Sequence, residues 1–550
     1  MSENFMKFVT ELEDKFKNLE ARIALIESSL NLKPIPHLNE EEPKDRSVDT
    51  VTADSDNLEF NIGQYWFAKV GIVVLAIGVI FLLTLPFNNL PQLFPSMIGY
   101  FIMFFIFFIA HISKKEYLYI SRYLFGGGLI LMYFSTLRLH YFSAEPAITN
   151  LTFEVFLLTS VVIAHLLIAL MRKSIYLTGI GITLSFVSIL VSDSAFFIFI
   201  TLTVLSCYTV LLKVKFHWDN LFVYGILSTY LIHFIWFINN PLLGNRIQLL
   251  NSPQANLYFI LLYILIFSLG NLLDSKEKRE TNFSRNTGFI ISLGGYGLFL
   301  VISILRFQMQ LVQIHLLASI LLLILAVVFW INFTSKYSTF FYAIIGYSAL
   351  SVAIIAQFSL PNFFVWLCWQ SLLVIITSIW FRSKVIIIAN FFIYLIIFLA
   401  YMILAGKISA FTLSYGAVAL ISARVLNWKK ETLGLKTELI RNSYLAVAFF
   451  IFPYSFYKIL PHGYVAISWL AISLIYYLLS VGLKNNKYRW MALLTLIITV
   501  IYIIIGTTKL SPEFRIILFL LLGVIFLIVS VIYARKRALL TDRNAASNIE

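Results

Sequence analysis

From Trp66 to about residue 533 the chain repeats one pattern, an apolar stretch of about 17–21 residues followed by a short polar turn. At about 1.5 Å per residue, each stretch reaches across a hydrocarbon core of about 30 Å. The stretches lie near 66–85, 96–112, 123–142, 151–171, 175–191, 196–212, 218–238, 256–273, 287–304, 314–333, 338–355, 362–380, 384–401, 411–428, 440–457, 463–483, 489–506 and 514–533. Only Ser192–Ala195 separates the fifth from the sixth. The loops are short, so no soluble catalytic domain is expected between spans. The pattern predicts an all-α fold, a polytopic transmembrane helix bundle of about 18 spans.

The first residues keep a different period. Val9, Phe16, Ile23 and Leu30 form one apolar row, and Phe5, Leu12, Leu19 and Ile26 form the other. Their alternating spacings of four and three are those of a coiled-coil seam. The narrow seam and mixed-sign flanks predict a cytoplasmic coiled-coil helix over 1–32, through which the chain forms a homo-oligomer. An amphipathic helix lying on the membrane is the alternative. Pro34, Pro36, Pro43 and the run Glu40–Glu42 mark 33–60 as a flexible linker. The membrane domain then covers 61–538, and 539–550 is a cytoplasmic tail.

Composition agrees with a lipid environment. Sixty per cent of the 550 residues are hydrophobic and 12% are charged, about half the charge of a soluble domain. The net charge of +14 would point to nucleic acid in a soluble protein. Its distribution excludes that partner and gives an orientation instead. Loops after even-numbered spans hold, among others, Lys114, Lys115 and Arg122; Lys276, Lys278, Arg279 and Arg285; Arg382 and Lys384; and Lys429, Lys430, Lys436 and Arg441. Loops after odd-numbered spans hold only Arg246, Arg306, Lys407, Lys458, Lys509 and Arg515. This roughly fourfold bias places both termini in the cytoplasm. The residue usage fits an AT-rich bacterial genome, hence a bacterial cytoplasmic (inner) membrane with the lipid bilayer as principal partner. The N-terminus lacks the apolar core of a signal peptide. Cys207 and Cys368 both lie in apolar stretches, which excludes a disulfide framework. Neither a phosphate-binding loop nor a metalloprotease or hydrolase motif is present, and the eight histidines lack ligand spacing. No catalytic residue, metal or cofactor is therefore assigned.

An ionisable residue inside a span is a functional candidate that needs a partner. Arg138 lies about four residues below the outer end of the third span, and Glu154 about three residues below the same surface on the fourth. They are predicted to pair. Glu154, His165 and Arg172 share one face of the fourth helix, with Leu158 and Val161 between them. Arg138, Glu154 and His165 thus form a candidate intramembrane polar site. His233, Gln370 and Asn390 stand singly within spans and are expected to make interhelical hydrogen bonds. Arg306, Gln308, Gln310, Gln313 and His315 are expected in one wet outer turn.

The segment Asn61–Leu83 resembles the opening of a family of bacterial membrane proteins, the domain of unknown function 2339 family. Ile62, Gly63, Trp66, Val70, Gly71 and Gly78 carry the likeness, followed by the triple glycine Gly126, Gly127, Gly128 and the pair Met132–Tyr133. The resemblance implies a cytoplasmic coiled coil, a linker and many spans, and names no substrate. The sequence departs from it after the first span and at Ser185. The five glycines are expected to pack helices together.

Three functions remain. The leading expectation is a transporter-like protein, or one that binds a small solute or lipid, with its substrate unknown. The second is a membrane scaffold gathered by its coiled coil. The weakest is a membrane enzyme acting on lipid-linked substrates, for which Glu154 and His140 are the only nearby acid–base candidates.

Overall fold

The computed structural model describes residues 91–506 apart from 116, 143–144, 274–280, 334–335, 405–408 and 429–437, with scattered positions in 71–81 and 516–527. The predicted coiled coil, linker and tail lie outside the described residues, as do most of the first and last spans. By contact the chain divides into two units, Met1–Leu82 with Ile102–Gly128, and Leu83–Phe101 with Leu129–Glu550.

The described chain is helical. It begins with α1 (Phe94–Ile112), α2 (Leu118–Leu137), α3 (Leu151–Met171), α4 (Ile175–Val191), α5 (Ala195–Phe216), α6 (Asp219–Phe237) and α7 (Asn256–Leu273). The helix α8 (Asn282–Phe289) runs through a π turn, Ile290–Gly294, into α9 (Gly295–Arg306). Then come α10 (Leu311–Phe333), α11 (Lys336–Gln357), α12 (Asn362–Trp380), α13 (Lys384–Leu404) and α14 (Leu413–Trp428). The described helices close with α15 (Glu438–Ile459), α16 (His462–Gly482) and α17 (Asn486–Gly506). Every predicted span from the second to the seventeenth overlaps the helices described, the ninth overlapping α8 and α9 with the π turn between them.

Fourteen helices among the described residues are long and apolar enough to cross a membrane. Only 28–56% of each apolar window is buried by protein. The remaining surface carries exposed Phe101, Phe104, Leu231, Ile396 and Leu478, which water would not tolerate at this density. This is a multi-pass integral membrane protein. Polar residues set the helix ends. The Asn150 side chain accepts the N–H groups of Thr152 and Phe153 at 2.9 and 3.3 Å. Ser174, Ser194 and Thr281 cap α4, α5 and α8 in the same way.

Within the larger unit, buried side chains from Ile182 to Ile386 form one apolar core, and those from Phe364 to Ala492 form a second. A smaller cluster of Tyr133, Leu137, Leu158, Val162, Leu184 and Val191 joins α2, α3 and α4.

The structure departs from the sequence pattern in four places. The helix α2 ends at Leu137, so Arg138 follows its last turn instead of lying within it. Lys213, which follows the sixth predicted span and so belongs to a basic loop by sequence, is 1% exposed at the end of α5 and donates to Asn271 Oδ1 at 2.7 Å. Its ammonium stands 4.5 Å from the Phe222 ring centre. His315 is buried rather than wet, between the Tyr296 hydroxyl at 3.1 Å and Ser303 Oγ at 2.9 Å. Of the glycines expected to pack helices, Gly128 does so. A Cβ there would come 2.5 Å from Phe107. At Gly71 and Gly78 it would meet nothing within 4 Å, so no neighbour among the described residues requires those two.

Candidate functional site

Arg138, Glu154 and His165 are 5%, 0% and 0% exposed. All three are removed from solvent. The buried face of α3 is Glu154, Val155, Leu158, Val162, His165 and Ala169. Of the predicted stripe, Glu154, Leu158 and His165 lie on this internal face, whereas Arg172, the C-cap residue, is exposed.

No hydrogen bond joins the predicted pair. Neither Glu154 oxygen has a hydrogen-bond partner among the described residues, and Arg138 has an interaction of its own. Helix ends explain why each charge tolerates its place. Arg138 follows the last turn of α2, where the helix dipole is negative, and its N–H still bonds Phe134 O at 2.9 Å. Glu154 stands in the first turn of α3, where the dipole is positive. His140, the other acid–base candidate, uses Nδ1–H on Ile148 O at 2.7 Å and so ties the α2–α3 loop.

Three tyrosines share the electrostatic environment of Glu154. Tyr100 of α1, Tyr133 of α2 and Tyr141 beyond α2 all lie within electrostatic reach of its carboxylate. Their protons point elsewhere. Thr136 Oγ1 donates to Met132 O at 2.9 Å, so the Tyr100 hydroxyl, 2.8 Å away, donates to Thr136. Ser188 Oγ likewise donates to Leu184 O at 3.0 Å, so the Tyr133 hydroxyl, 2.9 Å away, donates to Ser188. The Tyr141 hydroxyl donates to Val191 O at 3.2 Å. None of the three hydroxyls donates to the carboxylate. A buried carboxylate that receives no hydrogen bond suits a cation and not an anion.

His165 belongs to another place. It lies eleven residues, about 16 Å, along α3 from Glu154. Its Nε2–H donates to Leu177 O in the first turn of α4 at 2.9 Å, leaving Nδ1 without a partner among the described residues. The bond holds α3 against α4, and Gly181 permits the close approach. An added Cβ at Gly181 would lie 2.6 Å from Leu166 Cδ2 and 3.2 Å from His165 Cδ2. Gly181→Ala is expected to lower stability by about 1–3 kcal/mol. Gly179→Ala, whose Cβ meets only Leu221 at 3.5 Å, should be near neutral. Thermal denaturation of the two purified variants checks the difference.

The three single polar residues divide. Gln370 bonds Tyr347 O at 2.8 Å and Ser351 Oγ at 3.0 Å, joining α12 to α11. Asn390 bonds Ser371 O at 3.1 Å and Oγ at 2.9 Å, joining α13 to α12. His233 makes no hydrogen bond among the described residues. It stacks on Phe199 with ring centres 5.0 Å apart, edge-on to Trp236 and Tyr263.

Sequence reasoning missed Tyr100 and Tyr141 altogether and met Tyr133 only as part of a motif. In an apolar span a tyrosine is indistinguishable from packing until its neighbours are known. The one available signal was three tyrosines within two helical turns of the Arg138–Glu154 level.

No family model, no curated protein and no solved structure matches this chain.

Proposed function

We propose that this membrane protein binds and translocates a small cationic solute, protons included, with Glu154 as the counter-charge. The observation that carries this is the fully buried Glu154 carboxylate, with both oxygens unused among the described residues. A buried carboxylate left without a hydrogen bond costs stability. Groups of this kind inside membrane proteins mark ion and substrate paths. The place of Glu154 in the first turn of α3 favours a negative charge there.

The test is a profile of soluble metabolites and inorganic cations in three strains, one lacking the protein, one carrying wild type and one carrying Glu154→Gln. The expected outcome is one cationic species whose cellular level shifts on deletion and shifts equally in Glu154→Gln. A Glu154→Gln strain indistinguishable from wild type overturns the assignment. So does a deletion strain with no chemical change and only an envelope defect, which favours the scaffold.

A further inference from the structure

The turn between α4 and α5 and the loop that follows α6 line a cavity of about 90 Å³. Both segments follow odd-numbered predicted spans, at the helix ends poor in basic residues. Ser192 and Asp193 come from the first segment, Asn239, Asn240 and Asn245 from the second, and Trp236 of α6 forms part of the wall. Asp193 is the only charged residue among those that line it. It is exposed, so its carboxylate is open to solutes. Arg246, in the same loop as the asparagines, is exposed and forms no part of the wall.

The backbone turns the asparagines. Asn239 and Asn240 take left-handed conformations, with φ of 67° and 46°, which are uncommon outside glycine and least so for asparagine. Asn239 Nδ2 donates to Arg246 O at 3.1 Å, and Asn240 Nδ2 donates to Leu190 O at 2.6 Å. The Asn239 amide nitrogen is thus held by the loop, and its carbonyl oxygen is left to accept. One carboxylate among neutral amide groups attracts a cation and neutralises a single positive charge. Divalent sites gather several carboxylates instead. At about 30 Å³ per water molecule, the cavity has room for about three. That admits an alkali-metal or ammonium ion with part of its water and excludes a bulky organic cation. Tyr141 links this place to Glu154. Its hydroxyl donates to Val191 O at 3.2 Å, next to Ser192 in the chain, and it shares the electrostatic environment of both Asp193 and Glu154.

We infer that this cavity captures a small monovalent cation, an alkali-metal ion or ammonium, before it reaches Glu154. The inference rests on the reading of Glu154 as the counter-charge and narrows the solute to one of small size and single charge. Asp193 supplies the charge, and the side-chain oxygen of Asn239 supplies a neutral ligand. A negative group in a confined opening also raises the local concentration of cations.

The probe is thallium(I), a monovalent ion of potassium-like size that quenches indole fluorescence, and Trp236 in the wall reports its arrival. The full chain, purified in detergent, is titrated with thallium(I) nitrate at an ionic strength held constant with tetraethylammonium nitrate. Wild type is expected to show saturable quenching that potassium or ammonium nitrate displaces and magnesium nitrate does not. Asp193→Asn should raise the half-saturation concentration about tenfold. Its melting temperature should stay unchanged, because Asp193 is exposed. Asp193→Glu should bind within about threefold of wild type. Thallium(I) uptake into proteoliposomes is measured alongside, and Glu154→Gln should keep the saturable quenching while losing uptake. Uptake that Glu154→Gln does not diminish overturns the reading of Glu154, and quenching that still depends on Asp193 then supports the cavity by itself. Three results overturn the capture site whatever Glu154→Gln does. They are quenching that does not saturate, quenching unchanged in Asp193→Asn, and displacement by magnesium as effective as that by potassium.

Discussion

Glu154→Met is expected to raise the melting temperature of the purified protein by a few degrees while eliminating any cation response. Methionine approximates the shape of glutamate and removes two acceptor oxygens that the described structure leaves unused. The desolvation cost of such a group is about 1–3 kcal/mol, and its removal returns that amount to the folded state. Tyr133→Phe should move stability the other way. It removes the 2.9 Å hydrogen bond to Ser188 and costs about 1 kcal/mol. Thermal denaturation followed by the fluorescence of the ten tryptophans resolves both shifts. A fall in stability for Glu154→Met would mean that the carboxylate holds helices together, and the binding role assigned to it would go. A rise together with lost function is the expected signature of a residue kept against stability.

Gly295→Val is expected to abolish accumulation of the folded protein, whereas Gly297→Ala, two residues away, should be neutral or mildly stabilising. At Gly295 an added Cβ would stand 2.5 Å from Ile264 Cγ1 and 2.7 Å from the Tyr230 hydroxyl. Tyr230 cannot retreat without cost, because it donates to Ile291 O in the π turn at 3.2 Å and lies in the first apolar core. Gly295→Ala alone is therefore expected to cost about 1–3 kcal/mol, and the branched valine more. At Gly297 the added Cβ meets nothing within 4 Å. There alanine gains about 1 kcal/mol of helix propensity over glycine. Membrane-fraction yield and the melting temperature of the two variants, compared side by side, decide it. Equal behaviour would show that α9 does not approach α6 and α7 as closely as described. The π turn itself is the local consequence of this approach. The run Ser292-Leu-Gly-Gly-Tyr-Gly places three glycines in six residues, and such a segment yields readily to the π geometry.

The amino-acid sequence by itself determined the helices and their environment. A lipid-spanning segment must satisfy its backbone internally and present apolar side chains outward, so length and hydropathy suffice to mark it. That is why α3, α4, α7 and α12 begin and end at the predicted residues. The same periodicity put Glu154 and His165 on one buried face of α3. Pairing was not determined in this way. Depth along a helix is a one-dimensional quantity, and equal depth made Arg138 and Glu154 look like partners. Only the tertiary structure decided that α2 stops at Leu137 and that neither Glu154 oxygen receives a hydrogen bond among the described residues. It also decided that Lys213 and His315, polar residues beside helix ends, are buried against Asn271 and against Tyr296 and Ser303. The reason is common to all of these. Hydropathy reports the solvent of a segment, whereas a hydrogen-bond partner depends on the rotation and approach of several helices, set by contacts such as Gly181 on Leu166 and Gly295 on Ile264. No single helix contains that information.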